Sequence, residues 1–203
     1  MTDLPTEIEA WTSANGFSGT EEEIGGTTPL LRSGVLGTTD VVYRGRIEDR
    51  EVLLAEFSIG SPDWSDQFGG SGTDSSVFTV MLTAVTEGRW PRLIVHPKRL
   101  SDHHWIRRLV RADREVDDVP ASLREEYRVI AATSIPEERL RGLFTDELAG
   151  WWLAQPTEVI VDVEDHEGHG GYMTVAHPGI ASDSSELDDL LAQTSHLAQL
   201  IDP

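Results

Sequence analysis

The sequence predicts an α+β fold with a mostly antiparallel sheet. Two observations carry this: β-prone runs arrive in hairpin-like pairs instead of alternating singly with helices, and helical periodicity is confined to a few separate segments. No repeat of fixed period is present. At 203 residues the chain is expected to form one domain, 1–203, with two halves of about 1–118 and 119–203 sharing a core as the variant of that reading. A chain of this size buries roughly 70% of its unfolded surface, so no disulfide or metal staple is required.

The elements follow in order. "PTEIEAWTSANG" reads as a short helix, with Thr6 as a cap, Ile8 and Trp11 on one face, and Asn15-Gly16 as the stop. "FSGTEEEIGGTTP" reads as a loop. "VLGTTDVVYRGRI" and "REVLLAEFSIG" read as a hairpin around "EDR", and Val52-Leu53-Leu54-Ala55 is apolar on both faces, which predicts a central strand. "SPDWSDQFGGSGTDSS" has no periodicity and the composition of a flexible connection. "SSVFTVMLTAVTEG" reads as a strand with Val77, Thr79, Met81, Thr83 and Val85 on one face, and "RWPRLIVHP" as the next. A mid-chain helix is expected from Ser101 or Asp102 to about Ala112, with Trp105, Ile106, Leu109 and Val110 as its apolar stripe. "EEYRVIAATS" reads as a strand. "SIPEERLRGLFTDELAGWWLA" reads as one long helix near 136–154, burying Leu140, Leu143, Phe144, Leu148, Trp151 and Trp152. "TEVIVDVEDHEGHGGYMTVAH" reads as a hairpin with an acidic, Gly-rich tip. "SSELDDLLAQTSHLAQLI" reads as a closing helix with Leu187, Leu190, Leu191, Leu197 and Leu200 inward.

Composition removes several function classes. The chain has no cysteine, which excludes a thiol nucleophile and cysteine-ligated metal or iron–sulfur sites. No apolar run reaches the roughly 18 residues of a membrane span, and the N-terminus lacks the pattern of a signal peptide. No membrane span and a cytoplasmic location are therefore expected. The formal charge is −20, which disfavours nucleic acid and anionic lipid as partners. Arg89 to Arg114 runs against this trend, with eight positive residues and two acids, and leaves −26 for the rest of the chain. Arg107, Arg108 and Arg111 lie off the apolar stripe of the expected helix. They are read as a solvated face paired with the chain's own acids, as a face for an acidic partner or second copy, or as a face for phosphate groups of nucleic acid or lipid, which the −26 elsewhere disfavours.

Other candidate sites are few. Asp162, Glu164, Asp165, His166, Glu167 and His169 combine imidazoles and carboxylates in a turn. Asp165, His166 and His169 are thus the metal-ligand candidates, against a solvated hairpin tip. His103 and His104 are adjacent, about 100° apart on a helix, and ill-placed to share an ion. "GGSGTDSS" resembles a phosphate loop but lacks the Gly-Lys-Ser/Thr ending. There is no Gly-x-Ser-x-Gly elbow for a hydrolase. Five tryptophans sit on or beside expected helices and strands, as core residues do. Trp64, with Phe68, lies in a polar loop and is a candidate partner-binding tip.

"AWTSANGF", "TPLLRSGVLGTTDVVYRGRIEDREVLLAEFS", "RWPRLIVHPKR" and "EEYRVIAATSIPEERLRGLFTDELAGWWL" together resemble a group of uncharacterised bacterial, mainly actinobacterial, proteins. The resemblance spans about residues 10 to 200. Many members of that group carry transmembrane helices ahead of the soluble domain, and this sequence shows no such run. The resemblance implies an architecture and no activity. The reading the sequence favours is a non-catalytic, acidic, cytoplasmic interaction domain of accessory, adaptor or chaperone type. It needs no cofactor, and its expected partner is another protein or a second copy of the chain. The alternative is a metal-binding protein or metal-dependent enzyme using the 162–169 tip.

Overall fold

A computed structural model of the chain describes residues 6–20, 42–59, 76–86, 90–101, 113–155, 158–166 and 170–202. It is an α+β structure. Five helices are described: α1 (Thr6–Ala14), α2 (Ala121–Glu126), α3 (Glu137–Leu143), α4 (Asp146–Leu153) and α5 (Ser184–Ile201). Nine strands are β1 (Ser18–Thr20), β2 (Val42–Ile47), β3 (Arg50–Ile59), β4 (Ser76–Val85), β5 (Arg92–Pro97), β6 (Arg114–Glu115), β7 (Tyr127–Ala131), β8 (Ile160–His166) and β9 (Gly170–Pro178). They form one sheet in the order β1-β2-β3-β4-β9-β8-β5-β7-β6, and every strand pair is antiparallel.

Local chemistry explains the first elements. α1 ends in a reciprocal cap: the Gly16 N–H donates to Ser13 O and the Phe17 N–H to Thr12 O. This closure needs a left-handed residue, and Gly16 sits at φ 75°. The cap turns Phe17 back onto Trp11, ring centroids 5.4 Å apart. The β2–β3 hairpin closes through Glu48-Asp49, with Ile47 opposite Arg50. Glu48 takes a positive φ of 53°, and its carboxylate accepts a hydrogen bond from Gln199 Nε2 at 3.0 Å. In the middle of β2, Gly45 leaves room for the Phe17 ring. A Cβ at Gly45 would lie 2.6 Å from that ring.

Strand parity sorts the core into two clusters. One face carries Val52, Leu54, Met81, Val85, Leu93, Val95, Val129, Val161, Val163, Met173 and Val175, and all five helices contribute to it except where their residues face solvent. The other carries Leu53, Ala55, Phe57, Phe78, Val80, Leu82, Ile94, Ile130, Ile160 and Ala176, together with Val42 and Leu100. Val52, Leu53, Leu54 and Ala55 are all buried, as expected for an apolar run on a central strand. β4 follows the same rule, so Phe78, Val80 and Leu82 are as buried as Met81.

The structure corrects several details of the sequence reading. β4 and β5 are not neighbours, because the β8–β9 hairpin lies between them. Three inter-strand steps of about 4.8 Å are within reach of the short connection from Val85 to Arg92. The helix near 136–154 is two helices. Phe144 leaves helical geometry at ψ 73°, and the Thr145 hydroxyl caps a new start by accepting the Leu148 N–H at 3.2 Å. Pro136 is the residue before α3, not part of its first turn. Glu125 and Glu126 end α2, and the strand begins only at Tyr127. Ser18–Thr20, read as loop, pairs with β2. Leu200, assigned inward, is 39% exposed. The expected helix from 101 or 102 to 112 lies outside the described residues.

α5 is held at both ends. Asp183 caps its start by accepting the Ser185 and Glu186 N–H groups. At its end, Asp202 accepts from Arg50 Nη1 at 2.8 Å and from the Thr86 N–H at 3.1 Å. Arg50 Nη2 also donates to the Asp202 carbonyl. Trp90 Nε1 donates to Ile201 O at 2.8 Å. Burial raises the Asp202 carboxyl pKa, but the hydrogen bonds from Thr86 and Arg50 outweigh it and hold the group below the ordinary range.

Two predictions follow from this packing. Gly45→Ala forces Phe17 off the sheet and lowers stability by about 1–3 kcal/mol in denaturant unfolding; an unchanged midpoint refutes the contact. Asp202→Asn costs about 1–3 kcal/mol at neutral pH. A depressed carboxyl contributes above its unfolded value, about pH 3.9, and the contribution is lost as pH falls through the folded value. The gap between wild type and Asp202→Asn therefore closes below about pH 4, and a gap constant with pH contradicts the ionised latch.

Candidate functional site

α3, α4 and α5 all lie on the first face of the sheet, and they do not close over it completely. A cavity of about 470 Å³ opens between them, lined by residues of α3, α4 and α5 and by Trp90 and Thr145. This is within the range of roughly 300–1,000 Å³ typical of ligand pockets. Glu147 and Trp151 are one turn apart on α4, and His196 and Leu200 are one turn apart on α5. The Trp151 and His196 rings meet at 4.4 Å and 38°. Leu143 and Leu148 supply apolar lining. At the Trp90 side, the Arg139 guanidinium lies 5.8 Å from the ring centroid.

The groove walls are fixed from below by a polar chain. The His177 Nε2–H donates to Gln193 Oε1 at 2.5 Å, Gln193 Nε2 to Gln155 Oε1 at 3.1 Å, and Gln155 Nε2 to the Trp151 carbonyl at 2.7 Å. This ties β9 to α5 and α5 to the end of α4. Trp152, next to Trp151, turns into the core and meets Tyr127 edge-on at 5.9 Å. The pair thus divides between core and groove: Trp152 is buried and Trp151 is half-buried.

The described residues give no catalytic constellation. Thr145, the one hydroxyl on the groove lining, is engaged as the α4 cap. Among the described residues, no group of three or more His, Cys, Asp or Glu side chains is placed to hold a metal ion. The candidate ligand His169 lies outside the described residues. Asp165 and His166 are the last two positions of β8, opposite Gly171 and Gly170, and their side chains also lie outside. Arg107, Arg108, Arg111, Trp64 and Phe68 lie outside as well. Four cations of the basic segment are described, and three of them meet acids of the same chain: Arg92 with Asp113 at 3.0 Å, Arg99 with Glu158, and Arg114 with Glu137 at 2.9 Å.

The groove residues Trp151, Arg139, His196 and Leu200 were not singled out from sequence. One signal was available. Adjacent helical residues diverge by about 100°, so of two neighbouring rings as large as Trp151 and Trp152 one is expected at the edge of the buried face. Leu200 likewise falls beside the stripe made by Leu187, Leu190, Thr194, Leu197 and Ile201.

Two histidines are buried, His177 on the helix-covered face of the sheet and His96 on the face of Ile94. Burial holds His177 below its ordinary pKa, against the opposing hydrogen bond to Gln193. Burial also lowers His96, and Arg128 adds to the effect. The His96 Nδ1–H donates to Pro97 O at 2.9 Å, and its Nε2 has no partner among the described residues. A histidine depressed in the folded state favours unfolding on acidification, because the unfolded chain takes up the proton first. Stability is therefore expected to fall as pH drops below about 6.5. NMR titration should place both imidazole midpoints under that of free histidine, and a midpoint at or above it contradicts the neutral buried state.

No family model matches this chain, and no curated protein matches it. Among solved structures, it is similar to the mycobacterial trehalose monomycolate transport factor A, TtfA. The TM-score is 0.65 at 14% identity, covering 97% of this chain and 94% of that one. At this identity the likeness is one of fold. No described helix is long and apolar enough to cross a membrane.

Proposed function

We propose that this chain is a non-catalytic accessory domain that acts by binding another protein, and that it binds through the groove between α4 and α5. The observation that carries this reading is the pairing of half-buried Trp151 with exposed Leu200 on facing helices. Trp is among the residues enriched at interface hot spots, and the exposed Leu200 extends the apolar surface beside it that a partner can cover. A fold shared with a protein named as a transport factor is in keeping with an accessory role. The internal pairing of Arg92, Arg99 and Arg114 favours the groove over the described part of the basic segment as the contact surface.

Site-specific photocrosslinking in the native host tests the reading. With benzoylphenylalanine at Leu200, one discrete protein adduct is expected. With the same group at Glu125, exposed on α2, that adduct should be missing. Equal adducts from both positions, or none from Leu200, refute the groove as the binding site.

A further inference from the structure

We infer that residues 102–112 dock as a helix on the second face of the sheet, over β5, β7 and β8, with Trp105, Ile106, Leu109 and Val110 against the strands. Arg107, Arg108 and Arg111 then point away from the sheet, on the side opposite the groove. This docking is independent of the groove, which opens on the other face.

The second face has an apolar surface that no described helix meets. Ile94, Ile130 and Ile160 lie on it at 0%, 5% and 0% exposure, with Leu100 at 6%. His96 shares the parity of Ile94 and is buried as well. None of α1 to α5 supplies a residue to this cluster, because their buried residues join the opposite one. Burial of this completeness needs a cover that the described helices do not supply.

Three stretches longer than five residues lie outside the described residues: 21–41, 60–75 and 102–112. The first leaves β1 and returns to β2, and the second joins β3 to β4, so both start and finish on the far side of the β8–β9 hairpin from these isoleucines. The third starts and finishes beside them. Leu100, just ahead of it, belongs to the second-face cluster. Asp113, just after it, pairs at 3.0 Å with Arg92, which shares the parity of Ile94.

Topology and length agree with these anchors. β5 and β6 are parallel, because both are antiparallel to β7. A connection between parallel strands has to cross a face of the sheet, most often as a helix. Arg114 stands level with Leu93, with Ala131 between them. From Pro97 the chain must return about 13 Å along the strands and about 10 Å across two of them, about 16 Å in all. Residues 102–112 span about 16 Å as a helix and roughly 36–40 Å when extended. The helix fits the gap and gathers the four apolar residues on one side.

Hydrogen exchange of the full wild-type chain, read by mass spectrometry, is the first test. An isolated helix of this length is marginal in water. Residues 103–112 should nevertheless exchange at least about 100-fold more slowly than an unstructured peptide, and equally at two protein concentrations about tenfold apart. Double-mutant cycles then locate the contact. Unfolding constants are measured for Leu109→Ala, alone and combined with Ile94→Ala, Ile130→Ala or Leu140→Ala. With at least one of the two isoleucine variants, the combined effect should depart from the product of the single effects by about threefold or more. With Leu140→Ala, on the first face, it should match the product within about twofold. Exchange at the unstructured rate overturns the docking, and protection lost on dilution hands the face to a second copy. Coupling to neither isoleucine, or equal coupling to Leu140, overturns it as well.

Discussion

The structure depends on one insertion. The β8–β9 hairpin sits in the middle of the sheet, with β9 paired to β4 over Thr79–Val85 and β8 paired to β5 over Arg92–Val95. Without it the earlier strands form two separate ribbons. Both faces of the inserted hairpin are buried: Val161, Val163, Met173 and Val175 join one core, while the other face sets Ile160 and Ala176 around the buried Asp162 and Thr174. The sheet is therefore held together by burial on two sides as well as by its ladder of hydrogen bonds.

The groove inherits its geometry from that insertion. α4 precedes β8 and α5 follows β9, so the two walls are the entry and exit helices of one hairpin. His177, near the end of β9, reaches Gln193 on α5, and Gln193 reaches Gln155 beyond α4. The cleft stays open because Trp152 takes the core position and leaves Trp151 at the mouth. At the far end of α5, Arg50, Thr86 and Trp90 hold its last turn against the sheet. The walls are thus fixed at several points, and a cleft fixed in this way loses little freedom when it is filled.

What was legible in the sequence was what is local. The hairpins β2–β3 and β8–β9 announce themselves through short turn signals between β-prone runs, and α5 through its long apolar stripe. The sheet order was hidden, because pairing of β4 with β9 is set by complementarity between segments far apart in sequence. α2, at six residues, is too short to show a period. The break at Phe144-Thr145 was written in the Thr145-Asp146-Glu147 start signal, but an apolar stripe running through both helices masked it. The groove was illegible for a related reason. Its residues read as core, and only the divergence of neighbouring side chains separates Trp151 from Trp152. The chemistry-rich candidates at 107–111 and 162–169 drew attention through composition, whereas the cleft is made from ordinary packing residues left at an edge.

The central hairpin also has a consequence in time. β4 and β5 are synthesised well before the strands that separate them. At ordinary translation rates, roughly 4–16 s pass between the emergence of Pro97 and that of Pro178. Throughout that interval the inner edges of two apolar strands have no lasting partner, and such edges template the wrong pairings. The cell meets this protein first as a half-finished sheet, and most of its acidity arrives with the later half: residues 1–114 carry a net −5 and residues 115–203 a net −15, so the charge that holds copies apart comes with the strands that close the sheet.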